Sequence, residues 1–208
     1  MTELEAINTL LGIIGEAPID HLSDLLVNEI TDSTMARRTL QEVSRDVQSE
    51  GWSWNTDDRL ALAKDAQGQF LLPDNALKAV FSPNRYPQRQ YVQRGRRIWD
   101  KQKRTFAFGA DMAGSLVVDS VVFELEWDEL PHVAQQYITI RAGRVFSNRY
   151  VNSTVVYSFT TQDEEYARTM LVRGEEESGR NNLLWGNDRG NDYGIGYTPG
   201  EGMMYRRV

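Results

Sequence analysis

Apolar residues recur every three or four positions at the start of the chain, where Leu4, Ile7, Leu10, Leu11 and Ile14 share one side of a helical projection. Thr2 followed three residues later by Glu5 has the form of a capping box, each side chain serving the other's backbone N–H. The spacing predicts a helix over roughly residues 3–15, stopped at Gly15 ahead of Pro18. A second stripe of Met35, Leu40, Val43 and Val47 predicts a helix over about 33–50, with Arg37, Arg38, Glu42, Arg45 and Asp46 on its wet side and Gly51 at its end. Between them, LSDLLVNEI (22–30) reads equally as a short helix or an extended connection.

From Trp52 the period changes. Short segments of alternating or aromatic character follow, separated by Gly, Pro, Asn and Asp, which predicts strands. In Gly51-Trp52-Ser53-Trp54-Asn55, strand alternation sends both tryptophans to one side. Tyr91-Val92-Gln93 and Arg97-Ile98-Trp99-Asp100 flank Arg94-Gly95-Arg96 as a hairpin would, and Ser115 to Trp127 reads as a buried strand bent near Asp119. Helical spacing returns at Ala134, Ile138, Ala142, Val145 and Phe146, predicting a helix over about 130–149 with Pro131 in its first turn. Thr161 and Glu164 form a second candidate capping box for a last helix to about Ser178.

The order is helix, helix, strand-rich insert, helix, helix, and the predicted fold class is α+β. Residues 1–51 and 128–178 make a helical bundle, 52–127 a β-rich inserted lobe, and 179–208 a glycine-rich tail. That tail holds seven glycines from Gly179 onward, each costly to order, yet keeps Trp185, Tyr193, Tyr197 and Tyr205. It is expected to dock on a neighbouring subunit or partner, the alternatives being a loose terminus or packing on its own subunit.

Composition narrows the chemistry. The chain has 208 residues and no cysteine, so disulfides and thiolate chemistry are excluded, and its two histidines, His21 and His132, stand outside any HExxH setting. No metal or cofactor site is expected. A net charge of −7 argues against a protein that wraps DNA by neutralising phosphates, while leaving room for DNA to pass nearby. No apolar run approaches the roughly 20 residues that span a bilayer, and the acidic start lacks the n-region of a secretory signal, so membrane insertion is not expected and the product is expected in the cytosol when made.

Several groups are candidates for contacts or chemistry. Trp52, Trp54, Trp99 and Trp127 are candidate interface anchors or ordinary core residues, and Arg141, Arg144 and Arg149 on the long helix are candidates for pairing with carboxylates of an adjacent subunit. Residues 85–104 carry Arg85, Arg89, Arg94, Arg96, Arg97, Lys101, Lys103 and Arg104 interleaved with Tyr86, Tyr91 and Trp99. Such a hairpin can touch a nucleic-acid backbone with its aromatics as base platforms, or meet an acidic surface on a second copy, which the acidic remainder of the chain favours. The carboxylates Glu124, Glu126 and Asp128 suit a glycosidase pair on paper but equally a solvated strand face.

Five stretches taken in order resemble the tail tubular protein A family, the adaptor or gatekeeper proteins of T7-like podoviruses. They are Leu10-Leu11-Gly12-Ile13-Ile14-Gly15-Glu16-Ala17-Pro18, then Gln48-Ser49-Glu50-Gly51-Trp52-Ser53-Trp54-Asn55, then Tyr91-Val92-Gln93-Arg94-Gly95 with Trp99-Asp100. Asp128-Glu129-Leu130-Pro131 with Arg144-Val145-Phe146-Ser147-Asn148-Arg149-Tyr150, and Gln162-Asp163-Glu164-Glu165-Tyr166-Ala167, complete the set over roughly residues 4–175. The resemblance implies a virion tail component without catalysis: a dodecameric ring between the portal protein and the nozzle of tail tubular protein B. It further implies a ring that continues the channel for double-stranded DNA without reading its sequence, attaches tail fibres and helps retain the genome until ejection. Two other functions stay open on the residues alone, a nucleic-acid-binding module centred on 89–104 and an envelope polysaccharide hydrolase.

Overall fold

The computed structural model describes residues 1–22, 31–87, 90–109, 114–149 and 159–184. Thr2 opens the first helix, α1 (Glu3–Ile14), as a capping box, accepting from Glu5 N at 3.2 Å while the Glu5 carboxylate accepts from Thr2 N at 2.8 Å. Gly15 closes it in the left-handed region at φ 80°, which glycine adopts without a Cβ penalty. Thr31 and Thr34 cap α2 (Asp32–Gln48) in the same reciprocal way. In α3 (His132–Arg149), the Pro131 carbonyl accepts from Ala134 and Gln135, so Pro131 stands just before the helix rather than inside its first turn.

The cap of α4 (Thr161–Leu184) lies one residue earlier than the sequence suggests. Thr160 and Asp163 exchange the reciprocal bonds, Thr160 N donating to Asp163 Oδ2 at 2.8 Å and Asp163 N donating to Thr160 Oγ1 at 3.1 Å. Thr160 with Asp163 satisfies the same three-residue spacing as Thr161 with Glu164, and Glu164 is drawn instead to Arg144 on α3. The helix also runs six residues beyond the expected end at Ser178. The segment 23–30 lies outside the described residues.

Two hydrophobic cores organise the chain. α3 packs against α1, α2 and α4, and its Ala134, Tyr137, Ile138, Ala142 and Phe146 meet Ile7, Leu10 and Leu11 from α1, Leu40, Val43 and Val47 from α2, and Ala167 and Leu171 from α4. The second core lies under five antiparallel strands: β1 (Thr56–Leu62), β2 (Ala76–Val80), β3 (Tyr91–Arg94), β4 (Arg97–Asp100) and β5 (Leu116–Phe123). β5 is central in the three-stranded order β1-β5-β2, and β3 pairs with β4 through Tyr91↔Asp100 and Arg94↔Arg97 around a turn at Gly95, φ 61°. Phe70, Leu72, Ile98, Leu116, Val118 and Val121 fill this core. The fold is α+β, as expected.

Two strand expectations are corrected. Residues Ser53–Asn55 form a 3-10 turn, not a strand, because Asn55 Oδ1 captures Trp52 N at 2.8 Å and folds the segment back on itself. β5 stops at Phe123, and Trp127 belongs to a second 3-10 turn, Trp127–Glu129. Asp119 remains within β5, accepting from Ser82 N at 2.6 Å and Arg85 Nε at 2.8 Å.

Candidate interaction surfaces

Trp52 is only 8% exposed and belongs to the helical core, its Nε1 donating to the Val47 carbonyl at 2.8 Å. Trp54 stacks nearly parallel to it, centroids 6.4 Å apart and planes 5° apart. The two indoles therefore do share a side, through a 3-10 turn rather than a strand. Trp127 packs against the same core and donates from Nε1 to the Met1 carbonyl at 3.0 Å, tying the chain start to the junction before α3. Most of the surface of Trp52 is thus buried within its own chain. Trp185, Tyr193, Tyr197 and Tyr205 lie outside the described residues, and of the expected tail 179–208 only 179–184 is described, as the end of α4.

The arginines of α3 have partners within the chain, where the sequence reading looked to an adjacent subunit. Arg149 reaches Glu42 on α2 at 2.9 Å and Thr39 Oγ1 at 3.1 Å, Arg144 pairs with Glu164 on α4, and Arg141 lies 3.9 Å from Glu50. The cause is the central position of α3, which brings carboxylates of both flanking helices to its sides. The Glu164 hydrogen bond raises the Arg144 pKa further, so its charge is fixed. Arg168, which the sequence did not single out, grips Glu50 with two nitrogens, at 3.1 and 2.9 Å, and donates to Tyr137 Oη at 3.2 Å.

Within the basic segment the side chains divide. Arg85 is held by Asp119, and Tyr86 donates to the Val117 carbonyl at 3.0 Å, with burial pushing its phenol pKa up. Tyr91 is 5% exposed in the second core. Arg96 donates to the Leu72 carbonyl and pairs with Asp74. Arg94 and Arg97 are exposed and lie over aromatic rings, Arg94 4.3 Å from the Trp99 centroid and Arg97 4.2 Å from that of Phe106. Arg89 lies outside the described residues.

The remaining candidates do not converge. Glu124 is engaged by Arg45, both carboxylate oxygens accepting from Nε at 3.1 Å, whereas Glu126 and Asp128 are exposed beside the turn before α3. His21 and His132 are both exposed. Among the described residues no group of three or more His, Asp or Glu is placed to hold a metal ion, and no helix is long and apolar enough to cross a membrane. An open depression of about 770 Å³ runs along β1, backed by Arg85 and Asp119. A smaller apolar groove of about 340 Å³ lies between α1, α3 and α4, bordered by Val133, Ile140, Met170 and the exposed Tyr166.

The described residues thus form an α+β fold with two joined cores and charged, open surfaces. A model of the tail tubular protein family matches residues 4–181, spanning both cores, and the chain belongs to that family, a structural component of the bacteriophage tail. No curated protein matches the chain.

Proposed function

We propose that the chain is the head-to-tail adaptor of a short-tailed phage, a subunit of a ring of identical copies seated between the portal protein and the nozzle of tail tubular protein B. The observation that carries this reading is the family match over 4–181, which takes in the helical core and the strand-rich lobe together. In that position the ring continues the DNA channel and offers its outer side to the tail fibres. A ring subunit needs one heterologous contact that closes by rotation and two further faces for unlike neighbours. Residues 1–51 and 128–178 would act as the bundle that holds the ring, 52–127 as a projecting lobe, and the tail from 179 as a segment docking on a neighbour or partner. Assembly occurs in the host cytoplasm and the mature location is the virion tail.

The chemistry of a tail part at this position is contact, not catalysis. The hydrolase reading loses support where Glu124 is tied to Arg45 and where Glu126 and Asp128 face solvent beside a turn. The nucleic-acid reading loses its base platforms, because Tyr86 and Tyr91 face inward and a guanidinium lies over Trp99. Light scattering on the full chain, alone and mixed with its portal, tests the proposal. A closed oligomer of this chain on the portal is the expected result, and a monomer indifferent to the portal but retained on DNA would contradict it.

A further inference from the structure

Successive residues of a strand point to opposite sides, and cross-strand partners share a side. In the β3–β4 hairpin, Tyr91 and Ile98 turn inward, 5% and 0% exposed, so the paired Arg94 and Arg97 turn outward with Trp99. Phe106 joins them from the turn that follows, meeting Trp99 edge to face at 4.6 Å. The outer face is therefore a four-membered stack in which Arg94 lies on Trp99 and Arg97 on Phe106.

A guanidinium lying on a ring is held in place while the N–H donors along its edge stay available for a planar acceptor. The rings position both cations without neutralising them, and among the described residues neither Arg94 nor Arg97 has an ion-pair partner. Their neighbour Arg96, by contrast, is engaged with Leu72 and Asp74. Residues 91–106 carry six cations against one aspartate, the buried Asp100, on a chain whose net charge is −7. The counter-charge sits elsewhere on the same molecule. At the 3-10 turn before α3, Glu126, Asp128 and Glu129 are all exposed and have no cationic partner among the described residues.

We infer that the outer face of the β3–β4 hairpin is a contact surface between copies of this chain, where Arg94 and Arg97 receive the carboxylates of Glu126, Asp128 and Glu129 from a second copy. The inference rests on the ring reading above and names a contact within that ring. The two patches belong to different parts of one chain, so the contact is heterologous, the kind that closes a ring by rotation. Opposite charges so placed also set register between copies.

Carbodiimide joins an amine to a carboxylate only where the two touch, and Arg97→Lys supplies an amine at the stack while keeping the cation. In isolated tails built with R97K, the expected product is a band of two chain masses whose peptides join position 97 to Glu126, Asp128 or Glu129. Adding Arg94→Glu, or in a separate variant Glu126→Gln with Asp128→Asn and Glu129→Gln, should cut that product about tenfold. Thermal melting of each purified chain checks that it folds. Copies linked only through other residues would overturn the hairpin contact and leave the ring standing. Copies that stay unlinked would likewise overturn the hairpin contact, and light scattering of the chain with its portal tests the ring separately. Links from position 97 to a different tail protein, or retention of the unsubstituted chain on duplex DNA that R94E abolishes, would also overturn the inference.

Discussion

Gln48 and Leu125 exchange two hydrogen bonds across 77 residues of chain, Leu125 N donating to Gln48 Oε1 at 2.7 Å and Gln48 Nε2 donating to the Leu125 carbonyl at 3.2 Å. The last residue of α2 thus treats the segment after β5 as a strand neighbour, from a side chain only 1% exposed. Asn55 seconds it, donating from Nδ2 to the carbonyls of Gln48 and Phe123 at 2.9 Å each. These two amides join the helical core to the strand-rich lobe.

Gln48→Leu keeps the bulk of the side chain and leaves both peptide groups of Leu125 without that partner. A loss of about 2 kcal/mol is expected, read as a lower urea midpoint. An unchanged midpoint would mean that the two lobes are joined by other contacts.

Two helical glycines should answer oppositely to alanine. At Gly143 an added Cβ would sit 2.7 Å from the Phe159 ring and 2.8 Å from Ile13 Cδ1, whereas at Gly12 nothing lies within 4 Å. Gly12→Ala should stabilise by about 0.5–1 kcal/mol through helix propensity alone. Gly143→Ala should destabilise by about 1 kcal/mol net, overpacking outweighing propensity where α3 meets α1. Thermal melts of the two single variants give the comparison.

Much of the local structure is legible in the sequence because it is decided within a few residues. Thr2 and Glu5 reveal α1, and Arg94-Gly95-Arg96 between two alternating runs reveals the hairpin. Trp52-Ser53-Trp54 misleads, since period two is also what a short 3-10 turn with two inward indoles produces. The family resemblance was likewise legible, as short motifs in a constant order. What the sequence hides is partnership at long range. Gln48 looks like a surface residue at a helix end, and Arg144 and Arg149 look unpaired, until folding brings Leu125, Glu164 and Glu42 to them. Such contacts leave no periodic trace.

The two stacked tryptophans should also differ. Trp52 Nε1 donates to the Val47 carbonyl, whereas Trp54 Nε1 is buried without a hydrogen-bond partner among the described residues. Trp52→Phe removes the shorter of the two bonds to the Val47 carbonyl, leaving the one from Glu50 N at 3.3 Å, and with the lost indole packing should cost about 1–2 kcal/mol. Trp54→Phe removes an unsatisfied donor and should cost less than about 1 kcal/mol. Equal losses would assign both residues to simple packing.

The N-terminus of α4 carries a pH dependence. Asp163 is held below the usual carboxylate range, first by the Thr160 hydroxyl at 2.7 Å and then by the Thr160 backbone N–H. A depressed pKa stabilises the folded form above the unfolded value of about 3.9, and that contribution fades as pH falls through the lower folded value. The protection of the amides at residues 161–164 relative to their intrinsic exchange rates should fall as pH drops through that lower value, and Asp163→Asn should remove this pH dependence.

On the proposed function, identical copies of this chain close a ring between portal and nozzle. Single-particle reconstruction of isolated tails, with no symmetry imposed, tests it most directly. The expected result is a closed, dodecameric ring at that position whose subunits match the two-core fold, with the β3–β4 hairpin of each against the Glu126–Glu129 turn of the next. Copies found singly on the nozzle wall, or a different chain in the ring, would contradict it.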